Sequence, residues 1–146
     1  MGKRCCRKRV GHSRSLSLGF GEKILHSNPK AVDNFYGEWE IGTYTSAWRV
    51  VSKGQILCGS MNLVDSIEEL DQEIQNIFLG SVVSIEVTSL FDIRVSFDDG
   101  VFIDFIFVST DDDEMFHIFG SDSLYVEYKC VDGWLVGKSN TPWVAL

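Results

Sequence analysis

The feature that most constrains the fold is an alternation of apolar and polar residues on both sides of the tetrapeptide FDDG, residues 97 to 100. A period of two is typical of strands that bury one face, and Gly100 suits the left-handed position at the end of a type I turn. The segment therefore predicts an antiparallel hairpin in which Phe97 pairs with Val101.

The register of this hairpin decides how Asp104, an isolated carboxylate within VFIDFIFV, is interpreted. Counting outward from the turn places Asp104 opposite Arg94, and Ile93 opposite Phe105. A pair of opposite charges across two strands contributes about 0.2–1 kcal/mol to stability. We therefore interpret Asp104 as a structural partner of Arg94 rather than as a general base. The same count directs the odd-numbered apolar residues to one face, which a helix can cover.

Two more turns predict hairpins of the same kind. In SKGQ, residues 52 to 55, the central Lys-Gly pair fits a tight turn between two strands. In VDGW, residues 131 to 134, the Asp-Gly pair is favoured as a two-residue loop between twisted strands. Counting outward from this last turn places Glu127 opposite Lys138.

One clear helix is predicted over about residues 66 to 79. Ser66 and Glu69 form a capping-box pattern, in which each side chain satisfies a backbone donor at the helix start. Gly80 offers the stop. Apolar side chains recur at helical spacing and define one buried face: Ile67, Leu70, Ile74, Ile77 and Phe78.

These elements together predict an α+β fold, with a mostly antiparallel, twisted β-sheet of about seven to nine strands and one main helix. At 146 residues the chain matches one ordinary domain, which needs no disulfide or metal to hold its core. We assign residues 14 to 146 to this single α+β domain. Residues 1 to 13 are expected to form a disordered, basic head.

Charge is unevenly distributed along the chain. Six of the 13 Lys and Arg residues lie within the first 14 positions. From Ser15 onward, seven Lys and Arg oppose 21 Asp and Glu, so this body carries a formal net charge of −14. Such a body repels nucleic acid and anionic membranes, and it attracts a basic protein partner.

Cysteines and hydropathy indicate the compartment. The four cysteines show no C-x-x-C or His-rich spacing, so we expect free thiols in a reducing cytoplasm and no zinc site. The longest apolar run is far shorter than the ~20 residues that a membrane span needs. An open alternative for the head MGKRCCRKRVG is dual acylation and membrane binding, although position 6 is Cys where myristoylation favours Ser or Thr.

The sequence carries no convincing catalytic motif. The run DDDE at 111 to 114 offers hard oxygen ligands, but it lacks the spaced D-x-D-x-D-G pattern of a calcium loop. Glycine-rich phosphate loops are missing as well. His117 shares a strand face with apolar neighbours, which favours packing, and a nucleophilic pair of His117 with Cys58 or Cys130 stays open. We therefore expect a protein that is not an enzyme and that binds no cofactor and no metal.

A small, acidic α+β domain without catalytic residues, rich in carboxylates and aromatic side chains, resembles the immunity proteins of bacterial contact-dependent inhibition and other polymorphic toxin systems. The resemblance is one of overall character, and GEWEIGTYTSAWR (37 to 49) and CGS (58 to 60) look like family signatures. It implies a cytoplasmic inhibitor that binds a cognate toxin domain, often a basic nuclease, and blocks its active site or substrate groove.

Under this resemblance, the contact residues are carboxylates at projecting turns. They would speed the encounter with a basic groove, while aromatic anchors would supply most of the affinity. A binding or regulatory module with another protein partner is the main alternative, and a small-molecule binder or enzyme with a cavity between sheet and helix is a further one. The oligomeric state is left open. The candidate partner-binding residues are Asp111, Asp112, Asp113, Glu114, Asp98, Asp99 and Asp132.

Overall fold

The structure is a computed structural model that describes residues 2–27, 29, 32–44, 47–88, 91–109, 116–120, 123–129, 132–138 and 144–145. A helix, α1 (Ile67–Gln75), and a short 3-10 helix (His12–Arg14) accompany the strands. The strands are β1 (Cys5–Val10), β2 (Leu16–Leu25), β3 (Phe35–Gly42), β4 (Ala47–Ser52), β5 (Gln55–Gly59), β6 (Val82–Val87), β7 (Ile93–Phe97), β8 (Phe102–Ile106), β9 (Phe116–Phe119), β10 (Leu124–Lys129), β11 (Gly133–Lys138) and β12 (Val144–Ala145).

The strands form two antiparallel sheets. In the described residues, one sheet has seven strands in the order β1-β2-β3-β9-β10-β11-β12, and the other has five in the order β5-β4-β8-β7-β6. The α+β class and the antiparallel pairing are as predicted, but the strands exceed seven to nine and are divided between two sheets. The physical reason is coverage, because a single nine-residue helix cannot shield one large sheet, whereas two sheets can shield each other.

The core lies between the two sheets. Phe20 of β2 stacks on Phe97 of β7 with ring centroids 6.1 Å apart, and Phe105 of β8 meets Phe116 of β9 edge-on at 5.1 Å. The odd-numbered apolar side chains of the β7–β8 hairpin face this core, as the register predicted. Other buried members of the same cluster are Leu16, Leu18, Trp48, Val50, Leu70, Ile74, Ile93 and Ile103.

Two of the three predicted hairpins have the predicted register. In β7–β8, the Phe97 N–H donates to the Val101 carbonyl at 2.9 Å, and Gly100 has a φ of +84°. In β4–β5, Ser52 pairs with Gln55 across a two-residue turn in which both residues have positive φ angles. Both registers follow from the local chemistry of the turn, since these backbone conformations favour glycine.

The third predicted hairpin forms between β10 and β11, but its register was predicted wrongly. Lys129 pairs with Gly133, and Glu127 pairs with Leu135 instead of Lys138. Gly133 has a φ of +72°, which suits the left-handed residue that closes a loop longer than the predicted two residues. An Asp-Gly pair is compatible with both loop lengths, so the dipeptide alone did not determine the register.

Helix α1 begins as predicted but ends four residues earlier. The Glu69 N–H donates to the Ser66 hydroxyl oxygen at 3.2 Å, which is the first of the two bonds of the predicted capping box. The helix ends at Gln75, where the Lys8 ammonium donates to the backbone carbonyls of Gln75 and Ile77. A cation at these carbonyls stabilises the helix end, and its source lies in a distant strand.

The basic head is not disordered over residues 5 to 10, which form β1 beside β2 in the seven-stranded sheet. Before β1, the Gly2 N–H donates to the Val82 carbonyl at 2.7 Å, and the Val82 N–H donates to the Lys3 carbonyl at 3.0 Å. The N-terminal segment thus connects an edge of one sheet to an edge of the other. The expectation of disorder was wrong because acidic partners far along the chain compensate the clustered positive charge.

Candidate functional site

Three of the seven carboxylates that were predicted to bind a partner lie within the residues that the structure describes. Asp98 and Asp99 occupy the exposed turn between β7 and β8, and Asp132 is exposed immediately before β11. The remaining candidates lie outside the described residues, and they are Asp111, Asp112, Asp113 and Glu114. The described part of the site is therefore built around the β7–β8 turn.

Asp98 and Asp99 are both held by backbone N–H groups. Asp98 Oδ1 accepts from the Ser81 N–H at 2.9 Å, and Asp99 Oδ1 accepts from the Val101 N–H at 3.2 Å. The Asp98 carboxylate also fills the space that a side chain at Gly80 would need. These contacts fix the two carboxylates beside the segment that follows the helix, while their exposure leaves them accessible to a partner.

A surface groove with a volume of about 560 Å³ lies next to this turn. Leu57 enters it from a β-bulge, since its neighbours on both sides pair with successive residues of β4. Phe78 follows the end of the helix, and 69% of its surface is exposed. The residues that line the groove are Leu57, Asn62, Glu73, Asn76, Ile77, Phe78 and Val101.

Three further exposed apolar side chains adjoin lining residues of the groove in the sequence. Met61 and Leu63 flank the lining residue Asn62, and both are strongly exposed. Arg14 fixes the backbone of the loop that contains these residues, because its Nη1 donates to the carbonyls of Ser60 and Asn62 at 2.8 Å each. Exposed apolar patches of this kind mark interaction sites. We call the following residues the apolar patch: Ile56, Leu57, Met61, Leu63 and Phe78.

Carboxylates border the groove. Glu73 lines it and accepts a hydrogen bond from Asn62 Nδ2 at 2.8 Å. Glu69 lies one helical turn earlier, and Asp99 is bonded to the lining residue Val101. The described residues that line the groove include no Lys and no Arg, while Lys8 and Arg14 lie at its border, since each donates to the carbonyl of a lining residue. An apolar surface with an acidic border is complementary to a basic partner.

Two of the three cations of β1 pair with carboxylates inside the protein. Arg7 pairs with Glu40 and Asp33, and Arg9 pairs with Asp33 and Asp71. Burial raises the pKa of Asp33, but the hydrogen bonds and charges of Arg9 and Arg7 outweigh that effect and leave it below its usual value. Because these cations compensate internal carboxylates, they do not offset the negative charge at the groove.

Asp104 has the structural role that its register predicted. It is buried opposite Arg94, and its Oδ1 accepts from Arg94 Nε at 2.7 Å. Arg49 of β4 is a second partner, whose Nε and Nη2 both donate to Oδ2 at 3.2 Å. The sequence predicted Arg94 but not Arg49, because the pairing of β4 with β8 joins distant segments. Both carboxylate oxygens of Asp104 accept hydrogen bonds from guanidinium groups. This arrangement fits a residue that stabilises the fold rather than one that transfers a proton.

Of the cysteine and histidine candidates, the structure describes Cys58 and His117. Burial, followed by the nearby Glu73 carboxylate, raises the pKa of the Cys58 thiol to about 11. Such a thiol is almost entirely protonated at neutral pH and is a poor nucleophile. His117 is buried, with the rings of Tyr44 and Phe119 centred 4.9 Å and 5.0 Å from its own. Its surroundings fit the predicted packing role, and Cys130 lies outside the described residues.

Neither a metal-binding cluster nor a membrane-spanning helix is found in the described part of the chain. No group of three or more His, Cys, Asp or Glu side chains there is arranged to hold a metal ion. Over the same residues, no helix combines the length and the apolar character that crossing a membrane requires.

Sequence reasoning identified the acidic turn but missed the groove beside it. Phe78 was assigned to the buried face of a longer helix, whereas the chain leaves the helix after Gln75. The available signal was Asn76, a residue type that favours helix ends. The site must be interpreted from its own geometry, since no protein-family model, no curated protein and no solved structure matches the chain.

Proposed function

We propose that this protein is a recognition module that binds a basic protein partner through the groove and the apolar patch. The partner class is a cognate toxin domain, such as a basic nuclease, which the protein neutralises in the cytoplasm as an immunity protein does. The observation that carries the proposal is an exposed apolar surface with carboxylates at its border and no described cation in its lining.

Apolar anchors would supply the affinity. Leu57 and Phe78 are 44% and 69% exposed in the free protein, so each has a substantial surface left to bury. Full burial of a side chain of this size contributes about 1.5–3 kcal/mol. Scaled by the exposed fractions, the two anchors together contribute about 2–3 kcal/mol, which is the size of a binding hot spot.

The carboxylates would set the rate and the specificity of association. Asp98, Asp99, Glu69 and Glu73 lie on or beside the groove, where their field attracts a cationic surface. A basic nuclease presents such a surface, because it neutralises the phosphates of its substrate. The acidic run at 111 to 114 stays a further candidate for the same contact.

The first test is whether a neighbouring gene encodes a toxin domain, and the second is co-expression of this protein with that domain. The wild-type protein should restore growth, and the double variant Leu57→Ser/Phe78→Ser should not. Val83→Ser is the matched control, since Val83 is an exposed apolar residue of β6 that does not line the groove. Growth arrest that is equally severe with and without the wild-type protein would refute the toxin assignment.

Association kinetics test the acidic border separately. Asp98→Asn/Asp99→Asn should lower the association rate constant and flatten its dependence on salt, because both effects come from long-range attraction. Glu22→Gln, at an exposed acid of β2, is the control and should leave the rate constant unchanged. Equal rate constants for the double variant and the wild type would exclude the β7–β8 turn from the interface.

A further inference from the structure

A second cavity, which we call the inter-sheet cleft, lies between the two sheets and has a volume of about 370 Å³. The seven-stranded sheet contributes Phe20, Trp39, Ile41 and Ile118 to its walls, and the five-stranded sheet contributes Val82 and Ile85. The remaining lining residue, Lys3, is charged. Small-molecule sites are typically apolar cavities of about 300–1,000 Å³ with few polar groups, and the cleft has this composition at the lower end of that size.

The cleft lies where the core is incompletely closed. Elsewhere the sheets touch through large rings, as in the contact of Phe105 with Phe116. In the cleft, Trp39, Ile85 and Ile118 pack against the core but are only partly buried. Because β6 is the edge strand of its sheet, no further strand of that sheet covers these side chains in the described part of the chain. The apolar walls are therefore accessible from the edge.

Lys3 stands at this edge because the N-terminal segment crosses it. The Lys3 carbonyl accepts from the Val82 N–H at 3.0 Å, which fixes the backbone beside the cleft. Its side chain is 47% exposed, and Nζ lies 3.2 Å from Glu38 Oε1. An exposed ion pair of this kind contributes little stability, so it yields easily to a competing anion. An ammonium group also has three donors, which allows it to bind a second carboxylate without leaving the first.

We propose that the inter-sheet cleft binds a small amphiphile with an apolar chain and a single carboxylate, in the manner of a medium-chain fatty acid. The chain lies between Trp39, Ile85 and Ile118, and the carboxylate pairs with Lys3. This activity is independent of the proposed protein partner, because the cleft shares no lining residue with the groove among those the structure describes. A neutral amphiphile would gain only the apolar contacts, and a cationic one would have to compete with Lys3 for Glu38 instead of pairing with Lys3.

The experiment uses the full chain and a dansyl-labelled undecanoic acid, whose fluorescence rises in an apolar site. Decanoate, decanol and decylamine then compete for the probe, each below the concentration at which it aggregates. Decanoate should displace the probe best, decanol less well and decylamine least. Absence of a fluorescence rise, or displacement by decylamine as effective as by decanoate, would overturn the proposal.

Two variants locate the site. Lys3→Met, at an exposed position, should weaken decanoate binding about two- to fivefold, the equivalent of one exposed ion pair, and leave decanol binding unchanged. Ile85→Trp should fill the cleft and weaken probe binding at least about tenfold, since the ligand loses most of its apolar contacts. Val83→Trp on the same strand lies outside the lining and should bind normally. Equal binding by Ile85→Trp and Val83→Trp, or unchanged decanoate binding by Lys3→Met, would show that the probe binds elsewhere.

Discussion

Replacement of Asp104 by Asn removes one negative charge from the centre of a buried ion cluster without changing the size of the side chain. The Asp104 side chain is 4% exposed, and it binds Arg94 through both oxygens and Arg49 through Oδ2 alone. An amide has one NH₂ group, so in either orientation the substituted side chain would direct donors at a guanidinium group. The two cations would then lie close together without the anion that separates them.

The structure sets the size of the expected effect. Breaking a buried ion pair by removing one partner costs about 3–5 kcal/mol. The side chains of Arg94 and Arg49 are 35% and 44% exposed, so water can solvate part of their released charge. We therefore expect Asp104→Asn to lower the free energy of unfolding by about 2–3 kcal/mol.

Urea denaturation followed by circular dichroism measures this difference. Asp99→Asn is the matched control, because it makes the same chemical change at an exposed turn and should alter stability by less than about 0.5 kcal/mol. If Asp104→Asn and Asp99→Asn unfolded at the same urea concentration, the ion cluster would not be a structural element. The structural role assigned to Asp104 would then be wrong, and a chemical role would have to be considered again.

Three further predictions concern other parts of the molecule. The folded-state pKa of Asp33 is depressed, so its stabilising effect is present above its unfolded pKa of about 4 and is lost as the pH falls through the folded value. The stability difference between the wild type and Asp33→Asn, measured by urea denaturation, should thus be constant from about pH 5 to 7 and shrink at lower pH; a difference independent of pH would contradict the pairing with Arg7 and Arg9. Deletion of residues 2 to 10 removes β1 and should abolish cooperative thermal unfolding, whereas an unchanged melting curve would restore the view of a dispensable head. With a pKa of about 11, Cys58 is about one-thousandth thiolate at pH 8, so iodoacetamide followed by peptide mass spectrometry should show far slower alkylation in the native protein than in urea, and equal rates would contradict its burial.

The elements that the sequence predicted correctly are those whose geometry depends on adjacent residues. Gly100 sets the β7–β8 register because only a few residue types tolerate its backbone conformation. Ser66 and Glu69 set the start of the helix because the cap lies within one turn. From these local rules, the pairing of Arg94 with Asp104 could be counted without knowledge of the fold.

The elements that the sequence did not predict depend on distant partners. Lys8 binds the helix end across more than 60 residues of chain, so the helical periodicity alone could not locate that end. Asp71 is not among the apolar residues that define the predicted buried face, yet it is buried and accepts from the Val10 N–H at 2.7 Å. The groove was missed for the same reason, because β5, the end of α1 and the β7–β8 turn meet only in the folded protein.

The folding of the basic head changes what the acidic surface can do. A disordered head would be a tethered cation at high effective concentration, and it would compete with any basic partner for the carboxylates around the groove. In the folded protein, Arg7 and Arg9 are committed to internal carboxylates, and Lys8 and Arg14 to backbone carbonyls. The head therefore cannot leave its place without breaking the sheet. Arg7 and Arg9 are thus kept away from the carboxylates around the groove, whereas Lys8 and Arg14 keep their charge beside it and offset part of its negative field.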